Sequence, residues 1–244
     1  MAVDAGMAVL PSRFDNLEKI IPVILPQVGR LFVHIDRPSD LPEILDHPRI
    51  DVSMGDGQGS AMKMRGMLQS KADGFICIDD DIMYPWNYVA RMRGCCERRS
   101  RELDSPVQVC VHGSIYDPRK HPRRFMGHRR MFSFWDALPR PVSVMMAGNG
   151  TTYYNRELFP TPGEFSDLLK YKNIDDVAVM KLMAERGVPT VCIPRGPSWL
   201  KGLSSGESLQ HSRPLDLIDE CVSGCLEALG KRFDALQTHK EKLY

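Results

Sequence analysis

Residues 75–85 read FICIDDDIMYP, so that four apolar residues run directly into three aspartates. A short apolar run is typical of a strand buried on both faces of a parallel sheet. Asp79, Asp80 and Asp81 would then lie at the carboxyl end of that strand, where open α/β sheets bind their ligands. Adjacent carboxylates repel one another, and a hard divalent cation such as Mg2+ or Mn2+ relieves that repulsion while bridging to substrate phosphates. The stretch predicts a metal site, with a solvated acidic turn as the alternative.

Strand-like and helix-like segments alternate on both sides of this stretch. The other predicted strands are short and apolar: Met7–Leu10, Leu31–Asp36, Ile50–Val52, Val107–His112 and Val188–Ile193. The predicted helices have apolar residues at helical spacing: 17–28, kinked or split by Pro22 and Pro26, then 41–45, 61–70, 86–102, 177–186 and 215–229. This alternation predicts an α/β fold with a mainly parallel sheet flanked by helices. Right-handed crossovers would bring the loops that follow the first four strands to one edge of the sheet.

The composition excludes several classes of protein. The 244 residues carry 32 Lys and Arg against 31 Asp and Glu, so no global field favours nucleic acid as a partner. No window approaches the ~20 apolar residues of a membrane span, and the first ten residues lack the basic flank of a secretory signal. Seven scattered cysteines favour a reducing, cytoplasmic compartment without disulfides. We expect one domain over 1–213 with a helical appendage over 214–244, and nothing in the sequence predicts the oligomeric state.

Several motifs occur in an order that resembles one enzyme family. They are Pro11-Ser12-Arg13 after the first strand, a glycine-rich loop over 55–60 followed by Lys63 and Arg65, Asp79–Asp81, Gly148-Asn149-Gly150-Thr151, and Asp175-Asp176 with Gly187 and a strand behind them. From Met7 to Pro194 the chain resembles GT-A-fold glycosyltransferases of the family 2-like kind, especially the compact bacterial enzymes of capsule and surface-polysaccharide synthesis. The resemblance implies a GT-A fold and transfer of a sugar from a nucleotide-sugar donor to a carbohydrate or glycolipid acceptor.

The resemblance also implies roles on the donor side of the site. Asp79 would face the nucleoside, Asp81 would bind Mn2+ or Mg2+, and Asp80 lies between them. The metal would act as a Lewis acid that neutralises the diphosphate leaving group. Further donor contacts are implied for five residues: Pro11, Arg13, Asp36, Lys63 and Arg65. Each of the polar ones has an alternative: Arg13 as a surface arginine, Asp36 as a turn cap, and the two helix residues as an exposed face.

The acceptor hydroxyl must lose a proton, so an inverting enzyme needs a carboxylate or equivalent base. The resemblance assigns this role to Asp176, although the family commonly has Glu-Asp where this chain has Asp-Asp. Asp175 is predicted to cap the helix, since an acid at a helix N-terminus stabilises the helix. His211 is a candidate metal ligand, with an ordinary surface histidine as the alternative. Acceptor-side residues are predicted in two places: Gly148, Asn149 and Gly150 in one turn, and Trp135 elsewhere.

Residues 114–141 form a basic segment in which arginines are interleaved with aromatic residues. An aromatic surface fits the C–H face of a sugar ring, so this segment is predicted to lie on the acceptor side or to form a lid. Its arginines also allow peripheral contact with an anionic membrane surface, at the inner face of the membrane. A solvated loop is the alternative.

The same residues are compatible with two other functions. The strand that ends in Asp79 and Asp81, together with the later pair Asp175-Asp176, also resembles the acids of a haloacid-dehalogenase-type phosphatase. That motif, however, wants Thr or Val at the position of Met83 and normally lies near the N-terminus. A non-catalytic domain that binds a glycan or a partner enzyme is the third hypothesis. Turnover of sugar nucleotides, of simple phosphate esters, or of neither separates the three.

Overall fold

The computed structural model describes residues 2–37, 39–116, 127–171, 173–203, 215–231 and 234. The chain forms an α/β structure whose helices flank a central sheet. The strands are β1 (Val3–Val9), β2 (Leu31–Ile35), β3 (Ile50–Met54), β4 (Gly74–Asp79), β5 (Ile82–Met83), β6 (Gln108–Cys110), β7 (Gly113–Ile115), β8 (Arg130–Phe132), β9 (Val142–Val144), β10 (Met146–Ala147), β11 (Thr151–Asn155), β12 (Thr190–Cys192) and β13 (Lys201–Gly202). The α-helices are α1 (Phe14–Ile24), α2 (Tyr88–Leu103), α3 (Pro162–Leu169), α4 (Asp175–Glu185) and α5 (Leu215–Ser223).

Eight of these strands form one mixed, mostly parallel sheet in the order β3-β2-β1-β4-β11-β6-β12-β9. All neighbours among β3, β2, β1 and β4 are parallel, whereas β11 runs antiparallel to both β4 and β6. At the far side β12 is parallel to β6, and β9 is antiparallel to β12. The predicted α/β class with a mainly parallel sheet is confirmed. The loops that follow β1, β2, β3 and β4 therefore share one edge, as expected.

The strand that carries the aspartates lies in the middle of the sheet. β4 pairs with β1 so that Ala8 lies opposite Asp79, and its apolar residues are fully buried. β1 begins at Val3 and is longer than predicted. It continues through Asp4 because that carboxylate is buried and accepts hydrogen bonds from the Ser70 hydroxyl at 2.6 Å and the Arg30 backbone N–H at 2.9 Å. Because the Asp4 carboxylate is hydrogen-bonded, its burial is compatible with a strand that begins at Val3.

Two helix predictions need correction. The segment predicted as an α-helix over 61–70 is a 3-10 helix, Ser60–Leu68. It packs directly on β1, where a Cβ on Gly6 would overlap the backbone oxygen of Lys63. Such close packing favours the narrower 3-10 geometry. Pro22 lies inside α1 without splitting it, whereas the α-helix does end before Pro26, where the chain changes to a 3-10 turn, Leu25–Gln27.

Neither β11 nor α3 was predicted from the sequence. β11 follows a glycine-rich turn, and its residues TTYYN look like a continuation of that turn. α3 begins with a capping box in which Thr161 and Glu164 bond each other's backbone N–H groups, a pattern that does predict a helix start. The insertion of β11 beside β4 matters most, because it brings the turn over 148–150 next to the aspartates.

The C-terminal helix packs on the body of the domain. Ile218, Cys221 and Val222 of α5 share a buried apolar cluster with Val177 and Met180 of α4. A further helical turn covers 226–231. None of the helices in the described ranges is long and apolar enough to cross a membrane. The division of the chain at residue 213 stays a prediction.

Candidate functional site

One cleft at the carboxyl edge of the parallel strands gathers most of the predicted site residues. Its walls come from the ends of β1 and β4, the loop that follows β2, the 3-10 helix Ser60–Leu68 and the start of α4. The predicted site residues that line it are Arg13, Asp36, Lys63, Asp79, Asp80, Asp81 and Asp176. Two acidic motifs that lie far apart in the sequence therefore face one space.

Asp79 pairs with a lysine that is itself buried. Lys63 is only 5% exposed, and its ammonium donates to a carboxylate oxygen of Asp79. The Tyr84 hydroxyl accepts from the backbone N–H of Asp79 at 2.8 Å and donates to the carbonyl of Gly150 at 2.7 Å. A Cβ on Gly150 would overlap the Asp79 carboxylate, so this position needs glycine for space. The alternative of an exposed helix face is wrong for Lys63.

The middle aspartate is an internal anchor. Asp80 is 4% exposed, and its carboxylate accepts from Arg13 Nη1 at 2.6 Å and from the backbone N–H of Leu10 at 3.2 Å. The Asn16 side chain donates to the carbonyl of Asp80 at 2.9 Å. Burial raises the pKa of Asp80, although Arg13 opposes the shift. Arg13 is buried as well, so its surface-arginine alternative is wrong, and these contacts tie the start of α1 to the acidic turn.

Asp81 is about as exposed as Asp79, whereas Asp80 is buried. About a third of its side chain, 33%, is exposed to the cleft, and Arg13 Nη1 lies 3.1 Å from Asp81 Oδ2. Burial, followed by repulsion from Asp79 and Asp80, raises the pKa of Asp81 from 3.8 to about 6. The positive charge of Arg13 is shared with Asp80 and does not cancel this effect. Asp81 is thus the acid of the triplet that gains most from an additional cation.

The chain itself supplies counter-ions to the acidic triplet, so repulsion alone does not demand a metal. Lys63 pairs with Asp79, and Arg13 pairs with Asp80 and Asp81. The described lining nevertheless contains six aspartates against three lysine or arginine side chains. This negative excess and the exposed carboxylate of Asp81 fit a divalent cation.

The described ranges contain no group of three or more His, Cys, Asp or Glu side chains arranged to hold a metal. Asp81 is therefore assigned as a single candidate ligand, because it combines exposure with an uncancelled charge. His211, the second predicted ligand, lies outside the described residues, and its role stays a prediction.

The two acids at the start of α4 have different surroundings. Asp175 is buried, accepts from the Ser60 hydroxyl and from Asn149 Nδ2 at 2.8 Å, and lies 3.6 Å from Lys63 Nζ. Burial acts to raise the pKa of Asp175, but Lys63 and these hydrogen bonds outweigh it and lower the pKa. The predicted capping role of Asp175 is wrong: the N-cap is Ile174, and no side chain caps the helix.

Asp176 is half-exposed in the cleft. Its Oδ1 accepts from the backbone N–H of Asn149 at 2.7 Å. The second acid of the pair is thus the one within reach of a ligand, while its neighbour is enclosed by protein. Because α4 begins at this pair, the helix N-terminus also favours a negative charge there.

The remaining predicted donor residues are distributed unevenly. Asp36 Oδ1 accepts from the backbone N–H of Gly59 at 2.7 Å, so it holds the glycine-rich loop as well as lining the cleft. Pro11 begins the 3-10 turn that carries Arg13. Arg65 does not line the cleft; it lies in a separate groove beside β2 and β3.

The predicted acceptor-side residues do not form one surface. Gly148, Asn149 and Gly150 are buried, and the Asn149 side chain binds protein atoms: it donates to Asp175 and accepts from the Tyr154 hydroxyl at 2.6 Å. Trp135 is 53% exposed and packs edge-on against Phe134, with ring centroids 4.6 Å apart. Trp135 remains a candidate for sugar contact. The turn over 148–150 is buried and contacts Asp175 and Asp176 through Asn149.

Three contributors to the site were missed from the sequence. Tyr84 and Asn16 each bond the backbone of the acidic turn, and Ser60 bonds Asp175. Ser60 follows the glycine-rich loop directly, which is a recognisable signal. Tyr84 and Asn16 carry no such signal, because their contacts depend on where α1 and the chain beyond β5 pack.

A comparison of the chain with protein-family models finds no matching family. A comparison with curated proteins finds no matching relative. The geometry of the cleft therefore provides the basis for a functional proposal.

Proposed function

We propose that this chain is a metal-dependent glycosyltransferase with a GT-A fold. It would move a sugar from a nucleotide-sugar donor to a carbohydrate or glycolipid acceptor, in the synthesis of surface polysaccharide or glycoconjugate. One observation carries the proposal: Asp79–Asp81 at the end of a buried strand and Asp175–Asp176 at the start of a helix line the same cleft. Breakage of a sugar–diphosphate bond needs charge neutralisation on one side and a base on the other. The cleft offers candidates for both.

On the donor side, Asp81 would hold Mn2+ or Mg2+. Such a metal supplies Lewis-acid stabilisation of the negative charge on the departing diphosphate. Arg13 orients the acid, since its guanidinium lies 3.1 Å from Asp81 Oδ2 and is fixed on Asp80. Asp36 and the loop it holds at Gly59 form the neighbouring wall, which would receive the nucleoside.

On the acceptor side, Asp176 would take the proton from the attacking hydroxyl. Its half-exposed carboxylate is held by the backbone N–H of Asn149, so the base is positioned before the substrate arrives. Asp175 is enclosed by Lys63, Ser60 and Asn149 and serves as support. This difference in exposure supports Asp176 as the base.

The competing phosphatase would use Asp79 as a nucleophile toward phosphorus. Asp79 is paired with buried Lys63 and packed against Gly150, and this pairing does not favour attack. The glycan-binding hypothesis predicts no turnover of any kind. We therefore test the three with one set of substrates.

The experiment incubates the protein with a panel of sugar nucleotides and Mn2+, and follows release of nucleoside diphosphate. We expect hydrolysis or transfer with at least one donor, loss of it in chelator, and loss of it in Asp81→Ala. The exposed Asp136→Ala is the matched control and should behave as the unmodified chain. Turnover of simple phosphate esters instead would establish the phosphatase, and turnover of neither substrate class would leave only a binding domain.

A further inference from the structure

Lys63 joins the two acidic motifs of the cleft. Its ammonium contacts Asp79 at the end of β4 and lies 3.6 Å from Asp175 Oδ2 at the start of α4. An ammonium has three donors and no acceptor, so it can serve both carboxylates at once. From Asp175 the contacts continue through Asn149 Nδ2, and the backbone N–H of Asn149 reaches Asp176 at 2.7 Å. One buried lysine thus stands between the donor acids and the candidate base.

The packing around Lys63 fixes its position between Asp79 and Asp175. The 3-10 helix that carries Lys63 lies against Gly6 of β1, where any side chain would overlap the Lys63 backbone oxygen. On the other side, Gly150 leaves room for the Asp79 carboxylate. To bind a substrate phosphate instead, Lys63 would have to leave the buried carboxylate of Asp175 and the partly exposed carboxylate of Asp79 without their shared cation, which is unfavourable.

We propose that Lys63 is a positioning residue and not a phosphate ligand: it fixes the start of α4, and through Asn149 the base Asp176, relative to Asp79–Asp81. Without the ammonium, Asp79 and Asp175 would face each other as like charges and separate. The Asn149 N–H would move with them and release Asp176. The role assigned to Asp176 rests on the proposed glycosyl transfer, whereas the coupling of the two motifs does not.

The test compares Lys63→Met, the double variant Lys63→Met/Asp175→Asn, and Lys181→Met. Methionine keeps the length of the side chain and removes the charge. Within the described residues Lys181 forms an ion pair with Glu185 of α4, so its variant is the control for the substitution itself. Hydrogen exchange of the Asn149 amide reports the contact with Asp176 in the metal-free protein. Calorimetry with uridine and guanosine diphosphate plus Mn2+ reports nucleotide affinity.

We expect the Asn149 amide to exchange about tenfold faster in Lys63→Met, while the nucleotide Kd changes by less than about threefold. For any donor that is turned over, kcat should fall by roughly 100-fold with little change in KM, as expected for a displaced base. In the double variant the Asn149 amide should regain much of its protection from exchange, because Asp175→Asn removes one of the two repelling charges.

Two results would overturn the proposal. One is a loss of nucleotide affinity of tenfold or more in Lys63→Met with unchanged exchange at Asn149, which would make Lys63 a phosphate ligand. The other is failure of both Lys63 variants to fold, since charge balance would then not explain the requirement. If no donor is turned over by the unmodified chain, the proposed function fails, but exchange and the double variant still decide the role of Lys63.

Discussion

Substitution of Asp81 should stabilise the metal-free protein. In Asp81→Asn the side chain keeps its shape and an oxygen that accepts from Arg13, but it loses the charge that burial, and then repulsion from Asp79 and Asp80, disfavour. The pKa of Asp81 is about 6 in the folded chain against an ordinary 3.8. A difference of about 2 in pKa corresponds to ~3 kcal/mol, and partial exposure to solvent reduces this to about 1–2 kcal/mol.

The sign of the pH dependence follows from the direction of the shift. A carboxyl group whose folded pKa is raised costs stability when it is ionised, above the folded pKa of about 6. That cost is relieved as the pH falls from about 6 toward the unfolded value, and about half of it remains at pH 5. Asp81→Asn should therefore raise Tm by roughly 3–6 °C at pH 8, and by about half as much at pH 5.

The assay is thermal unfolding in chelator, with the exposed Asp136→Asn as the control. Mn2+ at about 100 times its Kd should then stabilise the unmodified chain by roughly 2.7 kcal/mol and leave Asp81→Asn unchanged. The variant would thus be the more stable protein in chelator and the less stable one in Mn2+. An unchanged or lower Tm of Asp81→Asn in chelator at pH 8 would refute the argument that burial and repulsion disfavour the Asp81 charge, and equal stabilisation by Mn2+ would remove Asp81 as a ligand.

Three further substitutions test the other parts of the cleft. Asp176→Asn should lower kcat by ~10²–10⁴-fold with donor affinity nearly intact, and a near-normal rate with the true acceptor would exclude it as the base. Arg13→Met should destabilise the fold by about 3–5 kcal/mol, because it leaves Asp80 buried and unpaired; chemical denaturation measures this, and a change below ~1 kcal/mol would contradict the anchor role. Gly150→Ala should cost about 1–3 kcal/mol by overpacking against Asp79, and an unchanged unfolding midpoint would show that the carboxylate can move aside.

Much of the architecture was predictable because it depends on short-range patterns. Apolar runs that end in polar residues identified β1, β2, β3 and β4, and parallel pairing then placed their ends on one edge. The convergence of Asp79–Asp81 with the start of α4 was expected from the family resemblance and not from this rule, because β11, the strand that precedes α3 and α4, is antiparallel to β4. What could not be predicted was the insertion of β11, since its pairing with β4 and β6 is set by long-range contacts and TTYYN follows a turn without interruption.

Charge neutralisation was the least predictable property of the site. Local sequence presents Asp79–Asp81 as three unbalanced charges, and Lys63 and Arg13 as separate basic residues in other elements. Only the folded chain shows that each cation is buried against an acid of the triplet. A charged side chain that is buried against a partner far away in the sequence leaves no periodic signal. The alternatives of an exposed Lys63 and an exposed Arg13 were therefore reasonable, and both were wrong.

This pairing changes how an acidic triplet at a strand end should be interpreted. If all three acids were unpaired, every one would be a candidate metal ligand, and removal of any would relieve repulsion. Here Asp79 and Asp80 hold the fold around the cleft through Lys63 and Arg13, so their removal should expose a buried cation and destabilise the protein. Asp79 is as exposed as Asp81 but pairs with the buried Lys63, whereas Asp81 combines access to the cleft with a charge that Arg13 does not cancel. In the proposed function a metal would therefore depend chiefly on Asp81, and the opposite signs of the stability changes at Asp80 and Asp81 would distinguish an anchor from a ligand.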